Sequence, residues 1–311
     1  MSGRTLLCRP CLRLRELPVN NRGTVTKAPK RVGQLGPALR FDDQIGKQWI
    51  LTYHEILASG TQYLYGVTQA QFRGHLSLLA SAAPRPSPGR PSPLITFDDG
   101  HRSNFERAFP LLEQFGLKAT FFLVAGCIGK IDKYLLWSQA RQMVAAGHRI
   151  ESHGWSHRLL TQCSPSDLEE ELIRSKHELE DRLGVEVAAI SAPGGRWNDR
   201  VVEACARAGY RYLFHSNPWV PAGPWHGLHL QGRQMVTGRM GPNDLQKLLQ
   251  VAGARRLYLR CRYGAKERVR VILGDRLYHK FWCWVAHWKP GEGVELEVDT
   301  LPNNGRKSRY L

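Results

Sequence analysis

Residues 94–126 read LITFDDGHRSNFERAFPLLEQFGLKATFFLVAG. A short β-rich run, Pro93–Phe97, leads into Asp98-Asp99-Gly100. Phe105, Phe109, Leu112 and Phe115 then recur at spacings of four, three and three, the period of one buried helix face, and Gly116 marks its end. Ala119–Ala125 (ATFFLVA) is wholly apolar and reads as a buried strand. Strand, helix and strand in so short a span make one unit of a parallel sheet.

The same alternation continues on both sides. Upstream, Gln48–Tyr53 (QWILTY) is a strand, and Thr68 with Gln71 forms a capping box that opens a helix to about Leu79. Ala82–Pro93 (AAPRPSPGRPSP) holds five prolines and can be only an exposed connector. Downstream, a helix over Gln139–Ala146 stops at Gly147, and His148–Ser152 is a strand. Ser166 and Glu169 form a second capping box, before a stripe of Leu168, Leu172, Leu179 and Leu183 that ends at Gly184. Val187–Ser191 is the next strand. Val201, Val202, Cys205 and Ala208 face inward on a helix closed by Gly209, and Tyr212–Phe214 is a strand again. This order predicts a parallel sheet or a β/α barrel, with chemistry at the C-terminal ends of the strands.

The polar clusters lie at such ends. Asp98-Asp99-Gly100 places two carboxylates after a strand. On an extended chain they diverge, and a turn at Gly100 would bring both into one cleft. An ordinary surface turn has the same sequence. Glu151–His157 (ESHGWSH) sets His153 and His157 at i, i+4, where one helical turn would present both imidazoles to a metal. Ser191–Asn198 (SAPGGRWN) offers glycines whose backbone N–H groups could hold an oxyanion, and Arg196 and Trp197 suit a sugar ring. A plain turn entering a helix at Asn198 is the competing reading.

In this order the three clusters resemble those of the polysaccharide deacetylase family, the NodB-homology domain of carbohydrate esterase family 4. TFDDG is similar to its first motif. SHGWSH is similar to its H-[ST]-x-x-H metal motif, with Gly154 at the Ser/Thr place, and SAPGGRWN is similar to its third. Leu51–Ile56 (LTYHEI) and the LHLQGRQMV segment resemble the exopolysaccharide-cluster members. The resemblance runs from about Trp49 to Val236. It implies an α/β fold, a distorted (β/α) barrel, and a divalent metal, usually zinc. The implied activity is removal of acetyl groups from N-acetylated sugars of a polysaccharide or its lipid-linked precursor, by water activated at the metal. Asp98 would be the base, and Asp99, His153 and His157 the metal ligands. Gly194, with Gly195, Arg196 and Trp197, would serve the oxyanion and substrate, and His54 would line the cleft. The family's Arg that orients the base has Ser191 in its place, so Arg196 or Arg233 is the substitute. The catalytic acid falls on His229, with His226 and His215 as rivals. An inactive saccharide-binding module and a hydrolase of small cyclic amides are the alternatives on this fold.

Composition agrees with a globular protein: 311 residues, 42% hydrophobic and 23% charged, excluding a disordered, collagenous or coiled-coil chain. The net charge of +17 sits at the ends. Residues 1–48 carry ten basic and three acidic side chains, and residues 253–311 thirteen and six. We therefore expect a basic arm over 1–48, the barrel over 49–242, and a basic, aromatic-rich helical extension over 243–311. Packing on the barrel or lying on an anionic membrane surface are the two readings of that extension. Specific nucleic-acid binding is not expected, because no recognition motif accompanies the charge. The seven scattered cysteines, with Cys8 and Cys11 a lone CxxC, fit a reducing compartment. The short apolar stretch Leu6–Cys8 does not make a secretory core, so the expectation is a cytoplasmic protein, peripheral at the inner membrane face.

Overall fold

The computed structural model describes residues 49–60, 63–82, 93–220 and 222–285. The basic arm, most of the proline-rich connector and the chain after 285 lie outside the described residues. The order is β1 (Ile50–Tyr53), β2 (Glu55–Leu57), β3 (Gly66–Thr68), α1 (Gln69–Ala82), β4 (Leu94–Phe97), α2 (Phe109–Gln114) and β5 (Ala119–Leu123). Next come α3 (Trp137–Ala145), β6 (Arg149–Ser152), α4 (Pro165–Leu183), β7 (Ala189–Ser191), α5 (Asp199–Arg207) and β8 (Tyr212–His215). The last are β9 (Gly223–Trp225), β10 (Leu228–Gly232), β11 (Gln234–Met235), α6 (Pro242–Leu249) and α7 (Gly253–Val285).

One nine-stranded sheet runs β11-β1-β4-β5-β6-β7-β8-β10-β9, parallel except for β9, and β2 and β3 form a separate pair. Its two ends belong to a single run of chain. β10 lies along β8, and two residues later β11 lies along β1. The ladder is interrupted at Arg233, so the sheet is not closed by strand pairing, and residues 228–235 form the seam between its two edges.

Side chains alternate across each strand. One set fills the interior with Ile50, Leu94, Phe122, Ala189, Tyr212 and Phe214. The other faces the helices in a larger core that includes Leu51, Phe97, Phe121, Leu172, Val201 and Leu213. Above the inner cluster the interior turns polar: Thr52 and Thr96 share a hydrogen bond of 3.0 Å, and Thr96 also donates to Leu51 O.

The first expected cap forms, with Gln71 N donating to Thr68 Oγ1 at 3.2 Å. The second does not. Pro165 starts α4, so the cap moves back to Ser164, whose hydroxyl accepts from Asp167 N at 3.1 Å. The helix read from Phe105 opens with a π turn, Asn104–Ala108, before α2. Among the described residues, Cys127, Cys163, Cys205 and Cys261 form no disulfide.

The extension divides. α6 packs on α1, where Pro242 fills the space a Cβ on Gly74 would take, and Leu245 is fully buried. α7 meets the sheet at Tyr263, whose ring lies edge-on to Trp219 at 6.4 Å and whose hydroxyl pKa is raised by burial. Leu257, Tyr258, Val269, Ile272 and Leu277 are exposed. The helix breaks at Gly274 (φ 71°, ψ 156°). Among the described residues, no helix is long and apolar enough to cross a membrane.

Candidate metal centre

Asp98 extends β4 by one residue, its N–H bonding Tyr53 O at 2.9 Å, so its side chain joins the inward set. Asp99 then turns left-handed (φ 71°), as does Gly100 (φ 80°). The turn thus begins one residue before the glycine. Asp tolerates this conformation better than most residues, and it swings the second carboxylate into the same cleft. At Gly100 a Cβ would stand 2.9 Å from Leu123 Cδ2, which fixes glycine there.

His153 and His157 meet without a helix. Gly154 (φ 81°) and His157 (φ 62°) fold residues 153–157 into an irregular loop, and the rings lie 4.9 Å apart. The i, i+4 spacing survives, but left-handed turns replace the helical geometry. Both Nε2 atoms are 3.3 Å from Asp99 Oδ1. His153 Nδ1 is 2.8 Å from Ser191 O, a carbonyl that can only accept. Nδ1 therefore carries a proton, and Nε2 is the atom that faces Asp99 and would give its lone pair to a cation. The three ligand atoms lie within 4.8 Å of one another. Electron pairs converging from two imidazoles and a carboxylate fit a cation, and nitrogen–oxygen donors with space for further ligands fit a divalent ion such as zinc.

Asp98 stands beside this set, its Oδ2 4.0 Å from His153 Nε2. It is bound instead by Arg233, which donates to Oδ1 at 2.8 Å and to Oδ2 at 2.7 Å. Arg233 also donates to Ser191 Oγ (2.6 Å) and Thr96 Oγ1 (3.3 Å), and its guanidinium lies 5.1 Å from Phe122 and 5.8 Å from Phe214. Arg233 is fully buried, with every described contact inside the barrel. Burial alone would raise the Asp98 carboxyl. The charges of Arg233 and His153 outweigh it and hold Asp98 below the usual carboxylate range. Burial likewise opposes ionisation of Asp99, while hydrogen bonding to His153 and His157 holds it well below that range.

His54 closes β1 and is 8% exposed, stacked on Tyr65 at 4.9 Å. Burial lowers its pKa, against the opposing pull of Asp99 and Asp98. Gly194 (φ 62°) and Gly195 (φ 66°) form a tight turn after β7. A Cβ on Gly154 would come within 3.8 Å of Pro193, so this turn abuts the histidine loop. Arg196 is 5% exposed, and Trp197 lies against His215 at 5.6 Å.

His229 does not join the site. It pairs with Tyr212, the first residue of β8, at the N-terminal end of the parallel strands. His215 closes β8, three residues along, or about 10 Å at the strand rise. The reason is register: His229, Gln231 and Arg233 occupy alternate positions of one strand, and only the last reaches the C-terminal end. His226 sits in the β9–β10 turn near Asp199 and Glu203. Two contributors escaped the sequence reading. Ser191 bridges Arg233 and Asp98, and Glu171 of α4 binds the histidine loop. The signal for Arg233 was the resemblance of the LHLQGRQMV segment, in which an Arg follows the strand.

The structure is a mixed α/β fold around a mostly parallel sheet, with Asp99, His153 and His157 grouped as a cation could require, beside a clamped carboxylate. Residues 85–213 match the family model described as polysaccharide deacetylase. It is 31% identical over 183 residues to the Bacillus subtilis protein YxkH, covering 54% of this chain and 64% of that protein. It is 33% identical over 130 residues to a chitooligosaccharide deacetylase of Sinorhizobium fredii, covering 40% of this chain and 57% of the relative. The chain thus spans about three fifths of the length of these curated relatives. Among solved structures it resembles Streptococcus pyogenes deacetylase PplD in complex with acetate (TM-score 0.59, 24% identity, 67% of this chain and 100% of that one). It also resembles IcaB from Ammonifex degensii (TM-score 0.56, 22% identity, 66% and 98%). At these identities the structures speak for the fold.

Proposed function

We propose that the protein is a divalent-metal-dependent deacetylase that hydrolyses the acetamide of N-acetylated sugars in a polysaccharide or its lipid-linked precursor. The observation that carries this reading is the buried Asp98–Arg233 pair beside Asp99, His153 and His157. Those three side chains would hold the cation, zinc being the family's usual choice. When bound, it supplies Lewis-acid polarisation of the acetyl carbonyl and makes water more acidic. Asp98, kept ionised and aimed by Arg233, takes the proton from water as general base. Oxygen adds to the carbonyl carbon, the carbon–nitrogen bond breaks, and the amine leaves with a proton. His54 is the imidazole beside the carboxylates, and we assign it, in place of His229, the contact with the leaving amine. Backbone N–H groups of the Gly194 turn serve the oxyanion, and Arg196 and Trp197 border the sugar.

The test is acetate release from chitooligosaccharides by the full chain, with zinc and after chelation, for wild type and Asp98→Asn. Activity that needs the metal and falls in Asp98→Asn, with metal content unchanged, supports the assignment. Undiminished turnover in either case overturns it. The complete ligand set and oriented carboxylate speak against an inactive saccharide-binding module.

A lipid-linked substrate gains support from α7, which exposes Leu257, Tyr258, Val269 and Ile272 among Arg256, Arg260 and Arg268, the composition of an interfacial helix. Co-sedimentation with vesicles containing anionic lipid, weakened by Ile272→Glu, is the expected result. Equal recovery in the supernatant with and without vesicles excludes it.

A further inference from the structure

The loop that carries both histidine ligands has almost no side-chain support of its own. Gly154 occupies the second position, and a Cβ there would stand 3.2 Å from Glu171 Oε2. Glu171 lies on α4 and is 5% exposed. Its Oε2 accepts from Trp155 N and Ser156 N, both at 2.9 Å, and its Oε1 accepts from the Ser156 hydroxyl. Among the described residues no cation pairs with this buried carboxylate. All three of its contacts are loop donors lying between His153 and His157.

The remaining polar groups of the loop are also taken. Gly154 N donates to Ser152 Oγ at 3.1 Å. The carbonyls of Gly154 and Trp155 accept from Ala125 N and Gly126 N at 3.1 and 2.9 Å. The Trp155 ring lies under Arg174 at 3.8 Å and near Lys130 at 4.7 Å. The β5 side thus holds the loop's carbonyls, and Glu171 holds its N–H groups. His157 keeps a left-handed backbone (φ 62°) that a non-glycine residue leaves readily unless its neighbours are fixed.

We infer that Glu171 is a positioning residue for the metal centre, setting the separation of His153 and His157 through the backbone of Trp155 and Ser156. The inference rests on the metal-site reading above but concerns a residue that touches neither the cation nor substrate. Outer groups that fix a ligand's orientation change metal affinity by about 10–100-fold when removed. Glu171→Gln keeps the shape and replaces one acceptor with a donor, opposing the loop's own donors.

The experiment measures zinc affinity by competition with a chromophoric chelator, on the full chain. It compares wild type, Glu171→Gln, Glu171→Ala and His157→Ala, with the thermal midpoint of each metal-free protein and the visible spectrum of each cobalt(II) form. We expect Glu171→Gln to bind zinc about 10–100-fold more weakly and to shift the cobalt spectrum, while its metal-free midpoint stays near wild type. A merely structural role lowers the midpoint and leaves affinity per folded molecule and spectrum unchanged, and that result overturns the proposal. If Glu171→Ala fails to fold, Ser156→Ala removes one of the same bonds and is expected to weaken zinc binding in the same direction. Wild type that takes up no divalent ion refutes the metal-site reading, and this proposal with it. Wild type that binds zinc as tightly as Glu171→Gln refutes this proposal alone.

Discussion

Replacing Arg233 by Met tests the most concentrated interaction in the structure. Methionine fills much of the same space but cannot donate. Asp98 then loses bonds at 2.8 and 2.7 Å and retains the Ser191 hydroxyl at 3.2 Å. Removing one partner of a buried ion pair costs about 3–5 kcal/mol, because the other charge is left uncompensated. For a domain of this size each kcal/mol lowers the melting temperature by about 2–4 °C, so the expected drop is about 6–20 °C at neutral pH.

The pH dependence makes the reasoning vulnerable. In the wild type the Asp98 carboxyl is held below its usual value, so its contribution to stability is present above the unfolded pKa of about 3.9 and is lost as pH falls through the folded value. Without Arg233, burial dominates and the folded pKa rises above the unfolded one. The variant then gains relative stability as pH falls through that raised value. The gap between the proteins should be widest near pH 7.5 and shrink steadily toward about pH 4. Calorimetric melts in chelator at several pH values read this directly. In an Asp98→Asn background the Arg233→Met penalty should largely vanish. A deficit that is constant with pH and unchanged in that background would refute the account of Arg233 as the partner that keeps Asp98 charged.

Asp98→Asn should reduce acetate release by about 10²–10⁴-fold, the usual contribution of a general base, with zinc retained. His54→Ala should impair turnover strongly, whereas His229→Ala, at the opposite end of the strands, should leave it within about twofold, the scale of a change remote from the chemistry; equal losses would reverse the assignment. Gly195→Ala should destabilise by more than about 1 kcal/mol, because its Cβ would sit 1.9 Å from Ser216 Oγ and φ is 66°; a melting temperature like wild type would contradict that geometry. His153→Ala/His157→Ala should purify without metal while Asp98→Asn keeps it, as elemental analysis can establish.

Much of the sheet was legible because its strands are short apolar runs set off by glycine-closed helices, as in Ala119–Leu123 and the Leu168–Leu179 stripe. The grouping of Asp98 with Asp99, and of His153 with His157, was legible because each pair lies close in sequence. What was not legible depends on register. Nothing local distinguishes His229 from Arg233 as a site residue, since the difference is four positions along one strand and which end of its neighbours it meets. β9 and β10 escaped for a related reason: the Gly223–Gly232 stretch mixes Pro, Trp, His and Gln, and tertiary pairing overrides that weak signal. Left-handed turns at Asp99 and His157, which non-glycine residues adopt only under outside constraint, were equally invisible.

The seam at residues 228–235 also orders events in time. Arg233 reaches Thr96 across 137 residues and lies beyond Asp99, His153 and His157 in the chain. Contacts of such separation form late in folding, after shorter loops have closed. During synthesis the cradle of Asp99, His153 and His157 can assemble while residue 233 is still unmade. The clamp on Asp98 therefore closes only when that last strand docks, after the cluster of Asp99, His153 and His157 can already have formed.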